Sequence, residues 1–270
     1  MKIQKNTVIL TNTRKAVIEA IQEKGINVTN LLGVSSDYKT VKGERFGYLT
    51  GILYLMPNLR ICPASKIASC FEGCLQSAGR GAFNSVKLAR MLKTQLFELH
   101  RDLFFSLLIH DINRLIKQAD KKGMIPCVRL NGTSDIDYEN YPLIVDGVLY
   151  ANIFSLFPNV VFYDYTKRCE RLNGIIPVNY NLTLSYSEAR DGYAAKVLEY
   201  ARKYKVNVAV VFAGKLPTTF KGLSVIDADD SDLRFLDDKG VICGLSAKGK
   251  ARRDHTGFVI RHYNSERLPR

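Results

Sequence analysis

The sequence predicts an α/β fold: a partial or full (β/α) barrel of mostly parallel strands with helices outside. Three observations predict it. Apolar segments of strand length alternate with stretches of helical period, which implies parallel strands joined by right-handed crossovers. Six or seven such repeats suit a full or partial barrel better than a five-stranded open sheet. Val206 to Phe212 is one continuous apolar run, the pattern of a strand buried on both faces.

The elements read in order as follows. Thr11 to Lys24 is a helix capped by Thr11 or Thr13, with Val17, Ile18 and Ile21 as its apolar stripe, and Gly25 ends it. Gly51 to Met56 is a strand. Asn84 opens a long helical stretch in which Phe105, Leu108, Ile112, Leu115, Ile116 and Ala119 keep a helical period, and Gly123 stops it. Strands follow at Ile125–Leu130, Val160–Tyr165 and Asn181–Tyr186. Ser185 to Glu188 fits a capping box into a helix carrying Val197, Leu198 and Ala201. Leu223–Ile226 and Val241–Leu245 are the last strands. Residues 1–45 read as an N-terminal extension packing on the barrel, and 46–270 as a single domain. Polar clusters at Cys62–Cys74, Asn131–Asp135, Asp164–Lys167, Ser185–Glu188 and Asp227–Asp232 each follow a strand. In such folds strand C-termini share one rim, so these clusters should converge.

Composition narrows the class. Hydrophobic residues make up 46% of the 270, enough for a sizeable core. The longest apolar run, Leu103 to Ile109, is far too short to span a membrane, and Met1 to Leu10 does not read as a signal peptide. A cytoplasmic protein with no membrane partner is the expectation. The net charge of +13 favours polyanionic partners, with nucleic acid or a nucleotide-like substrate leading.

Three of the six cysteines are clustered. Cys62, Cys70 and Cys74 have the spacing C-x7-C-x3-C directly after the first barrel strand. Thiolates are soft ligands for iron–sulfur clusters or zinc. Structural zinc usually takes four ligands, and no histidine lies within twenty residues of these three, so a closed zinc site needs a distant fourth ligand. Three thiolates instead suit a [4Fe–4S] cluster with one iron left open. Small core residues are the bland alternative. Cys127, Cys169 and Cys243 are isolated and read as core.

Strand, three-cysteine loop, long helix, and strand ending in glycine plus carboxylate together resemble the radical S-adenosylmethionine (SAM) superfamily of partial barrels. More closely, the segments Cys70–Gly81 (CFEGCLQSAGRG), Arg129–Asp135 (RLNGTSD), Phe162–Lys167 (FYDYTK) and Asp232–Asp237 (DLRFLD) resemble a phage and plasmid family known as the gene 88 protein family, from about Phe46 to about Val259. The usual superfamily spacing is C-x3-C-x2-C, and Gly73 stands where that motif has an aromatic, a place Phe71 would take. The resemblance implies that Cys62, Cys70 and Cys74 hold a [4Fe–4S] cluster whose open iron chelates SAM. Asn131, Gly132, Thr133, Ser134 and Asp135 would bind the SAM amino group, Asp135 supplying the carboxylate. Ser185, Ser187 or Glu188 would lie near the ribose. Reductive SAM cleavage would give a 5′-deoxyadenosyl radical that abstracts hydrogen from the substrate, nucleic acid or a nucleotide.

Other signals point elsewhere. Lys248, Lys250 and Arg252, with Arg253 following, would form a cationic face for nucleic acid if the segment is extended. A non-enzymatic nucleic-acid-binding protein with structural zinc is the alternative function. Asp227, Asp229, Asp230 and Asp232 would support a Mg²⁺-dependent nuclease if they converged, or a plain capped loop if not. Tyr163, Tyr165 and Lys167 could stack on a base. The glycine-rich turn Ala78–Gly81 could hold an anion or be simple punctuation.

Overall fold

The computed structural model describes residues 8–10, 13–35, 38–74 and 79–261. The chain begins with β1 (Val8–Leu10), α1 (Arg14–Glu23), β2 (Leu32–Val34), α2 (Tyr38–Glu44) and β3 (Tyr48–Leu53). The cysteine loop leads to α3 (Asn84–Leu99) and α4 (Arg101–Lys122), then β4 (Ile125–Arg129), β5 (Leu143–Val145), β6 (Val148–Tyr150), α5 (Ile153–Leu156) and β7 (Val161–Thr166). The remainder is β8 (Tyr180–Ser185), α6 (Tyr193–Tyr204), β9 (Val208–Phe212), β10 (Thr219–Phe220), β11 (Leu223–Asp227), β12 (Ile242–Ser246) and β13 (Val259–Ile260).

The main sheet has ten strands in the order β10-β11-β12-β9-β8-β7-β4-β3-β2, with β13 also on β9. Every pairing from β3 to β11 is parallel. The full barrel is not formed: β2 and β10 are the two edges and do not pair. Each runs antiparallel to its neighbour, and β10 is only two residues long, so neither offers a parallel ladder for closure. Chain order also breaks at the far side, where β12 lies between β9 and β11. A small second sheet, β1-β5-β6, sits apart.

The two faces of the main sheet differ because alternate residues point opposite ways. Leu49, Leu53, Val128, Leu130, Phe162, Leu184, Val208, Val210 and Ile242 face the helices and join one large core. Within it α4 contributes Phe104, Phe105, Leu108, Ile112 and Leu115, all buried. The predicted long helix breaks at His100, whose φ of −137° ends α3 and starts α4, while Gly123 terminates α4 with φ +61°. Asp111 of α4, itself buried, accepts from the backbone N–H groups of Leu31 (2.6 Å) and Leu32 (3.2 Å), which ties β2 to the helix.

The other face carries Thr50, Cys127, Arg129, Tyr163, Tyr165, Ala209 and Cys243. It is covered by the segment from Ala228 to Phe235. Arg129 pairs with buried Asp232 at 2.9 Å, Tyr163 Oη donates to the same carboxylate at 3.2 Å, and the Arg129 guanidinium lies 4.7 Å from the Tyr165 ring centre. A buried pair of this kind is stable only because both charges are matched.

Two local expectations are corrected. The helix after β8 is α6, and it begins at Tyr193 behind Gly192 with no side-chain cap, so Ser185–Glu188 is not a capping box. Ser187 is spent on tertiary hydrogen bonds instead. The cationic segment is not extended: Gly249–Arg253 forms a 3-10 turn, so alternate residues do not share a face. Thr13 caps α1 through Ala16 N; Thr11 lies outside the described residues.

Gly132 follows β4, where its N–H donates to Leu53 O at 3.1 Å. A Cβ there would stand 2.7 Å from Leu53 O and 2.7 Å from Tyr54 Cδ1. Because backbone cannot yield cheaply, Gly132→Ala is expected to destabilise by about 2–3 kcal/mol, read as a lower urea midpoint. A midpoint unchanged within error would show that the close approach is not required.

Candidate functional site: a cysteine loop across the mouth of the sheet

The loop from β3 to Cys74 is built by short-range bonds. The Asn58 side chain accepts from Arg60 N (2.8 Å) and Ile61 N (3.2 Å), setting the first bend. Pro63 opens a 3-10 turn, Ser65 Oγ donates to Cys62 O at 2.7 Å, and Ser69 takes a left-handed φ of +50° just before Cys70. Cys70 N donates to Ser65 O at 3.1 Å.

Tertiary anchors hold the loop at both ends. Near β4, Asp135 N donates to Ile61 O at 2.7 Å and Thr133 Oγ1 donates to Leu55 O. At the far end Ser187 Oγ, beyond β8, donates to Ala68 O at 2.8 Å. Gly73 packs on the 3-10 turn after β12, where a Cβ would meet Ala251 at 3.4 Å. The loop therefore crosses the C-terminal ends of the parallel strands, as the rim expectation required.

Cys62 and Cys70 are buried and Cys74 is half-buried; no disulfide joins them. Burial pushes the Cys62 thiol up to about 11 and raises Cys70 as well, with Lys167 opposing both. Cys62 and Cys70 interact electrostatically with each other, with Cys74, with Lys167 and with Asp135. Lys167 follows β7. Burial would lower its ammonium, but the neighbouring Cys70, Cys62 and Asp135 outweigh that and its pKa is raised. Among the described residues no three His, Cys, Asp or Glu side chains converge as they would around one bound ion.

The residues expected to hold SAM are largely committed to the protein. Asn131 accepts from Ser134 Oγ and Ile136 N and donates to Ile136 O; its backbone N–H donates to Asp164 at 2.7 Å. Asp135 accepts from Thr166 Oγ1 (2.7 Å), Lys167 N (2.8 Å) and Arg171 Nη1 (3.0 Å), and is buried. These side chains shape the rim from beneath. Ser187 is fully buried, whereas Glu188 is exposed and accepts from Tyr186 Oη and Lys221 Nζ. Ser185, half-buried at the end of β8, gives its carbonyl to Tyr193 Oη.

Lys248, Lys250, Arg252 and Arg253 are exposed beside the cysteine loop, although Lys248 is paired with Asp229 at 2.6 Å. The aspartates do not form a cradle. Asp227 accepts from Asp229 N, Asp229 from Ser246 N and Lys248, Asp230 pairs with Arg45, and Asp232 is buried with Arg129. Tyr163 is core rather than a stacking platform, and Lys167 faces the thiols. Cys127, Cys169 and Cys243 are buried, as expected. Ala78 lies outside the described residues, and Gly79–Ala82 is a 3-10 turn before α3.

Sequence reasoning missed the network that fixes this rim. Arg171 donates twice to Glu139 (2.8 and 2.7 Å), once to Asp135 and once to Tyr180 Oη (3.1 Å), and Tyr180 Oη donates to Asp164 at 3.0 Å. Burial pushes Asp164 up to about 7, against the pull of Arg129, the Asn131 N–H, Tyr180 and Arg171. No local motif signals Arg171; only its position within a polar run after β7 hinted at it.

Fold and site together define a mixed α/β protein whose parallel strands end under a cysteine-bearing loop with a cationic turn at its side. A family model described as Gene product 88 matches residues 23–262, and the chain belongs to that family. The match takes in β2, the whole cysteine loop and every strand of the rim. No curated protein and no solved structure matches the chain. Among the described residues no helix is long and apolar enough to cross a membrane.

Proposed function

We propose that this protein is an iron–sulfur enzyme of radical SAM type that acts on nucleic acid or a nucleotide in a phage or mobile-element setting. One observation carries the reading: Cys62, Cys70 and Cys74 lie together on the loop that crosses the strand ends, each within electrostatic reach of the others. Three thiolates with no histidine within twenty residues suit a [4Fe–4S] cluster with one iron left open better than a closed zinc site, which usually takes four ligands. A bound cluster would supply one-electron chemistry and, through its open iron, a place for SAM. The Lys167 ammonium would offset the charge of thiolates holding a cluster, Asp135 and Arg171 hold the strand-end backbone that carries Lys167, and Ser187 fixes the far end of the loop.

Anaerobically purified protein is expected to be brown, with iron and acid-labile sulfide in roughly equal amounts. Release of 5′-deoxyadenosine from SAM on reduction supports the finer assignment. Colourless protein with one zinc per chain overturns it in favour of a binding protein with a structural metal. A cluster that leaves SAM intact removes SAM from the proposal.

The cationic turn supports the nucleic-acid partner. Replacing Lys250, Arg252 and Arg253 together by glutamine is expected to reduce the slope of log affinity against log salt for an oligonucleotide by about 2, since each phosphate contact contributes roughly 0.7–0.9. Iron content should not change. A slope equal to the parent's would remove this turn from the interface.

A further inference from the structure

On the β4 side of the cysteine loop lies a separate cavity of about 250 Å³. One wall is the loop itself, through Arg60, Ile61 and Pro63, and the others bring Arg101 from the start of α4 and Arg168 from beyond β7. Three arginines from three elements thus line one space, together with the carboxylate residues Glu98, Asp135 and Asp137.

Their charges are not all cancelled. Arg60 reaches Glu98 only at 3.9 Å, and Arg168 pairs with Asp137 at 3.3 Å. Asp135, also in the wall, is committed to Thr166, Lys167 and Arg171. Arg101 has no carboxylate partner among the described residues. It lies over the rings of Phe97 (4.9 Å) and Tyr141 (5.1 Å), and its Nε is shielded from solvent with no acceptor. A fixed cation of this kind is left with unmet hydrogen-bonding capacity, which an oxyanion would satisfy through the planar fork of the guanidinium. Concave sites with a few convergent polar groups are where small ligands bind.

We infer that this cavity is an anion site for a phosphate ester, with Arg101 as its fixed cation and Arg60 and Arg168 closing around the phosphate oxygens. The inference goes beyond the iron–sulfur reading and needs no metal. The phosphate could belong to a free nucleotide or to a nucleic-acid backbone. The cavity lies at one end of the cysteine loop and the cationic turn at the other, so a strand laid along the loop would meet both.

The test is calorimetric titration with 5′-AMP and fluorescence anisotropy with a labelled oligothymidylate, on parent protein, Arg101→Gln and Arg60→Gln, with iron measured on every preparation. Arg60 is largely exposed, so its variant keeps the fold if Arg101→Gln does not. A tenfold or greater loss of AMP affinity in Arg101→Gln, and about threefold in Arg60→Gln, establishes a nucleotide site. If the parent ignores AMP but the same losses are seen with the oligonucleotide, the site takes a backbone phosphate. Variants that bind both probes as the parent does, or a parent that binds neither, overturn the inference; should Arg101→Gln fail to fold, Arg60→Gln decides by the same criterion. Parent protein that binds the anion but holds no iron would count against the cluster alone.

Discussion

Arg171→Leu is expected to lower the stability of the fold by about 3–5 kcal/mol in urea unfolding, the cost of breaking a buried ion pair by removing one partner. The side chain is 3% exposed and its carboxylate partners Asp135 and Glu139 are 1% and 7% exposed, so solvent cannot replace the lost donors. Four hydrogen bonds disappear at once, two of them the bidentate pair to Glu139. Lysine at this position keeps a charge but not the fork and should recover only part of the loss. Pairing Arg171→Leu with Glu139→Leu should also recover part, because one orphaned charge is then removed. The deficit should widen above pH 7. Asp164 ionises near 7 in the fold and Arg171 is among the groups that hold it down, so without Arg171 it titrates higher. A group with a raised folded pKa destabilises progressively as pH rises toward that pKa, and the variant therefore keeps losing stability after the parent has levelled off. A loss under about 1 kcal/mol would mean the network is idle.

Cys70→Ala is expected to bring iron from about four per chain to below one in anaerobically reconstituted protein, with Cys62→Ala and Cys74→Ala doing the same. The metal-free fold should barely register the Cys70 change. Its Sγ makes only a weak 3.7 Å contact to Ser65 O, and a buried cysteine behaves as a small apolar side chain. Cys127→Ala, in the sheet beside Thr50, is the matched control and should keep its iron. Full iron retention in all three loop variants would sink the thiolate centre. Equal loss in the control would show that misfolding, not ligand removal, was being read.

Much of the fold was legible because its elements are locally encoded. The apolar run at Val206–Phe212 became β9, Gly123 ended α4 through its left-handed φ, and Thr13 capped α1. Strand ends at Leu53, Arg129, Thr166 and Ser185 fell where the turn residues put them, within a few positions. The clustering of the cysteines on the rim was legible for the same reason: a loop that follows a parallel strand must begin at its C-terminal end. The Ser185–Glu188 capping box and the extended cationic segment failed because tertiary bonds overrode local pattern. Ser187 turned to Ala68, and the Gly249–Arg253 turn packed on Gly73.

By itself, the amino-acid order settled where strands and helices alternate, that three thiols sit beyond the first parallel strand, and that the surface is strongly cationic. Those properties depend on periodicity, on turn chemistry and on counting, all of which act within a few residues. Only the tertiary structure decided that the sheet stays open, that the carboxylates of 227–232 scatter to separate partners, and that Asp135 is bound by Arg171 rather than offered to a ligand. It also decided that Arg60, Arg101 and Arg168 line one cavity. Each of these is a matter of which distant groups share a buried space, where an unpaired charge is costly, and no local pattern carries that information.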